Sequence, residues 1–388
     1  MLIAGGGIGG LAAAIALSRR GIEAEVLERS GFGEESGAGI QLGPNATRAL
    51  KALGVLEAIE PHAFHPEAIV IFDGLTGRKL SSVPLGKFAS QRWGSPYLTL
   101  HRADLHAALR GAAQILPAVT LKSGFEVETV EASEDRVTVR GSDRAEAKGA
   151  GLIGADGLWS AIRASIMPDS NLRFTGQSAW RTVLRRNGLP EPFAAPMVGL
   201  WLGPGAHLVH YPVRGGAELN LVAVTAGGRE RQGWNQAADA QTLRASFTDW
   251  CKDSKSLLER ASGWRCWSLY RLAHLESWSR GLVALLGDAA HPVLPFLAQG
   301  AALAIEDAVA LADCIAAEPD DLPSAYRHYE ALRGLRAERL QRVSRRYGRL
   351  YHLGGPLRLA RNFIMARRDE TRALRRLDWI YGNQPTEA

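Results

Sequence analysis

A glycine-rich turn lies against the start of this chain and has a counterpart some 280 residues later, so the fold must bring two distant segments to one place. The first turn is Gly5-Gly6-Gly7-Ile8-Gly9-Gly10, a G-x-G-x-x-G between the apolar Leu2-Ile3-Ala4 and the apolar run at residues 11–17. The second is Gly287-Asp288-Ala289-Ala290-His291-Pro292, preceded by Leu282-Val283-Ala284-Leu285-Leu286. Each reads as a strand running into a tight loop.

A strand that turns sharply and lets its backbone touch a pyrophosphate needs residues without Cβ, which Gly5 and Gly7 supply. Gly10 lets the next helix pack closely on the strand. That helix begins around Ile8 and Gly9 and offers free N–H groups to phosphates. Eighteen residues past Gly10, the segment Glu23-Ala24-Glu25-Val26-Leu27 ends in Glu28, where a carboxylate can take ribose hydroxyls. A turn that merely packs would account for the glycines but not for Glu28. The two cradles together point to a dinucleotide threaded through one large domain.

At 388 residues with 46% hydrophobic content, the chain can bury a full interior and fits two intimately joined domains. Three cysteines (Cys251, Cys266, Cys314) are odd in number and not spaced as a metal pair, as expected of free thiols in a reducing cytoplasm. Arg19-Arg20 follow the first apolar run rather than precede it, unlike a signal peptide. No apolar stretch approaches the roughly 18 residues that a membrane span needs. The ten histidines include no H-E-x-x-H and no Cys/His cluster, so no metal site is expected. The net charge of +6 is unevenly placed: residues 327–376 hold 15 arginines, no lysine and four acids, a net of +11. No nucleic-acid-binding motif accompanies them. Arginines 336, 339, 342, 345, 346 and 349 recur mostly at helical spacing, which reads as a solvated helix face, with an anion-attracting field or a subunit contact as alternatives.

The pattern along the chain is α/β. A β-α-β start at residues 1–29 leads into a Gly-rich loop at 31–43 and a helix to about residue 59 with Asn45 as N-cap. Short strands and turns fill 66–100, and a helix follows over 103–116. Strands at 120–130 and 136–139 flank a Glu134-Asp135 hairpin, and Leu152-Ile153-Gly154 ends in an Asp156-Gly157 turn. Alternating strands over 173–225 predict an antiparallel sheet, followed by helices at 240–260 and 301–317 and a helical C-terminal region. The expected organisation is a discontinuous Rossmann-like cofactor domain (1–66, 101–172, 275–325), interleaved with an antiparallel-sheet substrate domain (67–100, 173–274). A C-terminal helical segment (326–388) closes the chain.

Three motifs in order carry a family resemblance: residues 5–10, residues 287–292, and Gly154-Ala155-Asp156-Gly157-Leu158-Trp159-Ser160-Ala161-Ile162-Arg163. Supporting segments are Gly37-Ala38-Gly39-Ile40-Gln41, Pro44-Asn45-Ala46, His101-Arg102-Ala103-Asp104-Leu105, Leu297-Ala298-Gln299-Gly300-Ala301, Ile305-Glu306-Asp307-Ala308 and Asp378-Trp379-Ile380-Tyr381-Gly382. Over essentially its whole length the chain resembles the single-component FAD-dependent aromatic hydroxylases of the p-hydroxybenzoate hydroxylase fold class. It looks most like their salicylate, 3-hydroxybenzoate and 6-hydroxynicotinate hydroxylase branch. One departure is that Met1 lies inside the first strand, where the family carries a few residues before it.

The resemblance implies non-covalent FAD, with NADH or NADPH as co-substrate and no second Rossmann domain to bind it. It implies a soluble monomer or homodimer acting with O2 on a small phenolic or hydroxy-(hetero)aromatic acid, through a flavin C4a-hydroperoxide. Glu28 and Arg29 would hold the adenosine ribose, and Val127 would touch adenine through its backbone. Gln41 would contact the cofactor, Arg102 would reach the phosphate or ribityl region, and Asp288 would take the ribityl chain or pyrophosphate. Gly300 and Ala301 would open the helix facing the flavin N1–C2=O edge, where a helix N-terminus stabilises negative charge. Asp156 and Arg163 would serve the nicotinamide-dinucleotide and FAD region; a buried capping acid and an ion-paired arginine are the structural alternative.

On the substrate side, strand alternation puts His207, Val209 and Tyr211 on one face and His210 on the other. A His-x-x-x-Tyr pair facing inward can relay a phenolic proton, and phenolate is the stronger carbon nucleophile. Two core residues with satisfied hydrogen bonds are the alternative. Gln299 and Pro295 would line the reaction centre, with Gln299 polarising the substrate, and Arg181 would attract a carboxylate unless it forms a strand-edge ion pair. Two rivals remain. A halogenase of this fold would need W-x-W-x-I-P, which Trp264-Arg265-Cys266-Trp267-Ser268-Leu269 does not match. A flavin-binding regulatory or scaffold protein would use the basic C-terminal helices to dock a partner.

Overall fold

A computed structural model describes residues 1–32, 38–142, 145–228, 230, 236–237, 239–367 and 369–382. Gly37 of the fourth motif, most of the first half of the 31–43 loop, and Arg368 lie outside the described residues. Two sheets organise the fold. The first has six strands in the order Ser279–Arg280, Val283–Leu285, Leu152–Gly154, Leu2–Ala4, Ala24–Glu28 and Val119–Ser123, all parallel except the first. Its three central strands, Val283–Leu285, Leu152–Gly154 and Leu2–Ala4, are buried along their whole length and carry no charged residue, as a sheet covered on both faces requires. The order sets the two glycine turns at one edge, with only the 152–154 strand between their parent strands. Helices Ile8–Ser18 and Gly300–Ala317, which follow those turns, pack on one another.

The second sheet has eight strands: Gln236–Ala237, Arg265–Leu272, Leu172–Arg185, Glu218–Ala226, Ala206–Val213, Met197–Gly203, Ala68–Asp73 and Lys79–Pro84. It is antiparallel except where Met197–Gly203 meets Ala68–Asp73. One face packs on Phe193, Trp201, Phe247 and Trp250. The other face meets the Pro295–Leu297 turn and the long helix Leu322–Tyr351. A two-stranded ladder, Gly39–Leu42 with Leu98–His101, bridges the sheets, and Glu146–Gly149, Val137–Gly141 and Val127–Ala132 form a small third sheet.

Several expectations are corrected. The second helix starts at Pro44 with Gly43 as N-cap, so Asn45 is not the cap; its buried amide serves another purpose. That helix ends at Ala52, and Gly54 at φ +69° separates it from Leu56–Ile59. The expected strand over 120–130 is divided at Gly124, φ +72°, and its halves join different sheets. The helix expected over 240–260 is two, Ala240–Ala245 and Lys252–Arg260. Between them Trp250 is buried against Gly74 and Gly203, where an added Cβ would stand 2.4 and 2.5 Å from its ring. The arginine stripe is also only partly solvated. Arg342, Arg346 and Arg349 are exposed and Arg339 lies over Trp379, but Arg336 is half-buried and paired with Glu306.

Candidate active site

The first turn divides its glycines by task. A Cβ on Gly10 would stand 1.9 Å from the Gly5 carbonyl oxygen. Gly5 has φ +104° and packs on Ala155, and a Cβ on Gly9 would meet Leu286 at 2.8 Å. These three are demanded by packing. Gly7, the N-cap of Ile8–Ser18, is different: a Cβ there would meet nothing within 4 Å. A helix N-terminus preceded by open space at its one unconstrained glycine fits a pyrophosphate. Glu28 accepts from the Gly6 N–H at 2.7 Å and from Ser30 N and Oγ at 2.9 and 2.7 Å, so the carboxylate is fixed beside the turn. Phe125 N–H bonds the Glu28 carbonyl, which brings Val127 close to this end, while Arg29 is exposed and 3.7 Å from Glu126.

At the second turn Gly287 has φ +63° with Ala304 packed against it. The half-buried Asp288 carboxylate accepts no hydrogen bond from the described residues, and an added Cβ on Gly300 would stand 3.9 Å from its Oδ1. Burial raises the Asp288 carboxyl above its usual range, against the pull of His291, Arg102 and Arg163. An orphaned acid beside the N-terminus of Gly300–Ala317 has the chemistry to take ribityl hydroxyls. Arg163 is buried and donates to the carbonyls of Leu158 (2.7 Å) and Ala289 (2.9 Å), locking the 154–163 motif to the second turn. Asp156 caps Ala161–Ile166 through the Ile162 N–H (3.1 Å), and its Oδ1 is buried without a partner. Arg102 opens helix Arg102–Gln114, and its N–H bonds Ala38. Gly7, Asp288 and Asp156 Oδ1 therefore fit a bound dinucleotide.

The inner face of the eight-stranded sheet carries three rows. Trp267, Ala179, Val224 and His207 face one another across the strands; Arg181, Val222 and Val209 form the next row; Val183, Asn220 and Tyr211 form the third. His207 and Tyr211 do share a face, and His210 packs on Phe193 and Trp201 on the other. Four residues of strand nevertheless separate the pair by about 13 Å. They lie toward opposite ends of the face, and each side chain has its own neighbours. His207 Nδ1 pairs with His352 Nε2 at 2.8 Å and its ring meets Phe296 and Tyr351. Tyr211 lies against Gln41, Asn220 and Gly39, in a cluster with Tyr97 and Tyr381; burial raises its phenol well above the usual value. Gln41 accepts from Tyr97 Oη at 2.7 Å.

Arg181 lies between these ends. Its guanidinium carbon sits 4.0 Å from the Trp267 ring centroid, its Nε is buried with no partner, and no acid pairs with it among the described residues. Burial pushes it down to about 10. The alternative, a strand-edge ion pair, is absent among the described residues.

Gln299, the N-cap of Gly300–Ala317, is 1% exposed. Its Oε1 accepts from Asn45 Nδ2 at 2.9 Å, and Asn45 Nδ2 also donates to Glu306. Glu306 in turn receives Arg333 (2.6 Å) and Arg336 (2.8 Å). Both hydrogens of the Asn45 amide are spent on acceptors, so Gln299 presents its NH2 group elsewhere and acts as a donor. Pro295 opens the neighbouring turn, and Ala298 at φ +51° returns the chain into the helix. Sequence reading missed Asn45, Tyr97 and His352 as site residues. For Asn45 a signal existed, since an amide at the second position of a helix otherwise buried has to find a partner.

The FAD binding domain family model matches residues 1–344. The chain is 38% identical over 383 residues to 3-hydroxybenzoate 6-hydroxylase of Polaromonas naphthalenivorans strain CJ2, covering 98% of this chain and 95% of that protein. It is 36% identical to the 3-amino-4-hydroxybenzoate 2-monooxygenase PtnB3 of Streptomyces platensis, covering 98% and 95%. Among solved structures it resembles Klebsiella pneumoniae HpxO complexed with FAD and uric acid, with TM-score 0.83, 26% identity and coverage of 97% and 95%. With its two glycine turns and orphaned Asp288, the chain belongs to the FAD-binding-domain family, as a single-component FAD-dependent aromatic hydroxylase.

Proposed function

We propose that this enzyme hydroxylates a hydroxybenzoate of the 3-hydroxybenzoate type, with NADH or NADPH as electron source and O2 as oxygen donor. The observation that carries the substrate class is Arg181: a guanidinium held against Trp267 with no acid partner among the described residues, in a row with Val222 and Val209. A buried cation is costly alone and favourable once a carboxylate meets it, and the ring of an aromatic acid can lie on Val209 and Val222. Gly5, Gly7, Ile8, Gly9, Gly10, Glu28, Arg29, Gln41, Arg102, Val127, Asp156, Asp288, Gly300 and Ala301 are the candidate FAD contacts, and the bound flavin would supply reduction and oxygen activation. Gln299 donates to a substrate oxygen, Pro295 closes the site beside it, and His207 takes the phenolic proton while Tyr211 bounds the far end. Residues 1–66, 101–172 and 275–325 form the cofactor unit in this reading, 67–100 and 173–274 the substrate unit, and 326–388 a helical closure. No helix among the described residues is long and apolar enough to cross a membrane. We place the enzyme in the cytoplasm, as monomer or homodimer.

The test is a panel of hydroxybenzoates, their methyl esters and uncharged phenols, scored by stimulated NADH and NADPH oxidation, O2 uptake and product mass. Hydroxylated product from an acid, with its ester much poorer, supports the reading. Stimulation only by neutral phenols removes it.

A further inference from the structure

His207 is buried, and no acid pairs with it among the described residues. A histidine so placed cannot hold an added proton, so it can serve as a base only if it passes a proton on. The structure supplies a recipient. His352 ends the helix Leu322–Tyr351 and is half-buried; its carbonyl accepts the Gly205 N–H at 3.1 Å, which fixes it beside the strand that bears His207. Its Nε2 lies 2.8 Å from His207 Nδ1, and its Nδ1 lies 3.3 Å from Gln177 Nε2. His207 Nε2 makes no hydrogen bond with a described residue and is the one ring position left for a substrate. Neither imidazole has an acid partner among the described residues; Arg361 is the charged group that bears on His352.

We propose that His352 is the proton outlet of His207, the two imidazoles forming a wire between the substrate hydroxyl and solvent. This rests on the reading that a phenolic substrate lies against the 206–213 strand. The substrate O–H bond breaks as N–H forms at His207 Nε2. The N–H at His207 Nδ1 breaks as one forms at His352 Nε2, and the N–H at His352 Nδ1, which requires the Gln177 amide turned to offer its oxygen, breaks to a surface water. One proton enters and one leaves, both rings end neutral, and the negative charge stays on the substrate as its phenolate. The reverse passage returns the proton when the ring regains aromaticity. His352 touches no reacting atom and acts through His207 as a positioning and relay residue.

The experiment uses FAD-loaded enzyme without NADH, so turnover is not the readout. Mixing with 3-hydroxybenzoate in weak buffer plus a pH indicator reports proton release, and perturbation of the flavin spectrum reports binding. His352→Ala is expected to slow release at least tenfold while Kd stays within threefold, and added imidazole is expected to restore the rate. His352→Gln, which keeps a polar side chain but cannot relay, is expected to behave like His352→Ala without rescue. Release as fast as in the parent in both variants overturns the proposal. A flavin spectrum unmoved by 3-hydroxybenzoate counts against the substrate reading instead. The wire is then decided by ¹⁵N-histidine spectra of the unliganded holoenzyme, where losing His352 must shift the His207 Nδ1 resonance; an unchanged resonance overturns it.

Discussion

Replacing Arg181 with methionine keeps an unbranched chain against Trp267 and removes the charge, and it should move affinity and stability in opposite directions. A hydrogen bond to a charged partner is worth about 1.5–3 kcal/mol, so KM for the acid should rise roughly 10- to 150-fold. The methyl ester or amide, which offers no full negative charge, should change by about fivefold or less, since a neutral hydrogen bond is worth about 1 kcal/mol or less. In the unliganded protein the sign reverses. Burial pushes the guanidinium down to about 10, so its charged form is the disfavoured one wherever it is protonated. That cost is on the order of 3 kcal/mol, partly offset by the Trp267 ring, and it applies at all pH below about 10, fading as pH rises beyond that. Arg181→Met should therefore melt at a higher temperature than the parent at neutral pH, and saturating acid should narrow the gap by stabilising the parent more. The assays are steady-state kinetics on matched acid and ester and thermal melts with and without acid. The kinetics should be repeated at high salt, because a field from the exposed C-terminal arginines is screened over about 8 Å at 0.15 M ionic strength whereas direct contact is not. An acid preference that survives in Arg181→Met, or that vanishes with salt alone in the parent, refutes the reasoning.

The two glycines of the first turn should separate folding from binding. Gly10→Ala drives a Cβ to 1.9 Å from a backbone oxygen and should yield little folded protein, whereas Gly7→Ala should fold, as circular dichroism can show, yet lose FAD on a desalting column. Asp288→Ala should weaken FAD binding by roughly 10- to 150-fold through lost charge-assisted hydrogen bonds, measured by flavin fluorescence titration. Because His207 and Tyr211 sit at opposite ends of the face, His207→Ala should slow hydroxylation by about 10²–10⁴-fold and divert oxygen to H2O2. Tyr211→Phe should mainly alter KM, and equal coupling losses in both would contradict the separation. His210 is buried with both ring nitrogens unpaired and held down to about 3. Below the ordinary imidazole value of about 6.5 the unfolded chain takes up a proton that the native one refuses, so stability drains as pH falls toward 3. His210→Leu should flatten melting temperature against pH over that window, with His207 and His352 keeping some of the slope; parallel curves for parent and variant would exclude the cause.

What the sequence made legible was whatever short-range sterics demand. Gly5 and Gly10 are required by a strand, a turn and a helix that are neighbours in the chain, so their spacing announced them. Alternation along one strand likewise sufficed to put His207 and Tyr211 on one face. Alternation does not measure reach, however, and the pair's separation follows from counting residues along the strand. What stayed hidden were roles set by a partner from another element: Asn45 meets Gln299 across 254 residues, and His207 meets His352 across 145.

Arg333 shows where such a role was still within reach. Tyr326, Tyr329, Arg333, Ala337, Leu340 and Ser344 fall at intervals of three and four along one helix, and all six are buried. Spacing among the arginines alone assigns Arg336 to a solvated face. Spacing among the apolar residues instead puts Arg333 in the core stripe, where a guanidinium is tolerated only with buried acids opposite. The helix 300–317 is apolar for most of its length and carries Glu306-Asp307 in its interior, two acids that face the same difficulty. Each helix thus contains the explanation of the other's anomaly. Arg333 bonds Asp307 at 2.8 Å and Glu306 at 2.6 Å, and Glu306 continues through Asn45 to the Gln299 amide. A charge misplaced by the period of its own helix is therefore a pointer to its partner, and here the partner leads to Gln299, a candidate site residue.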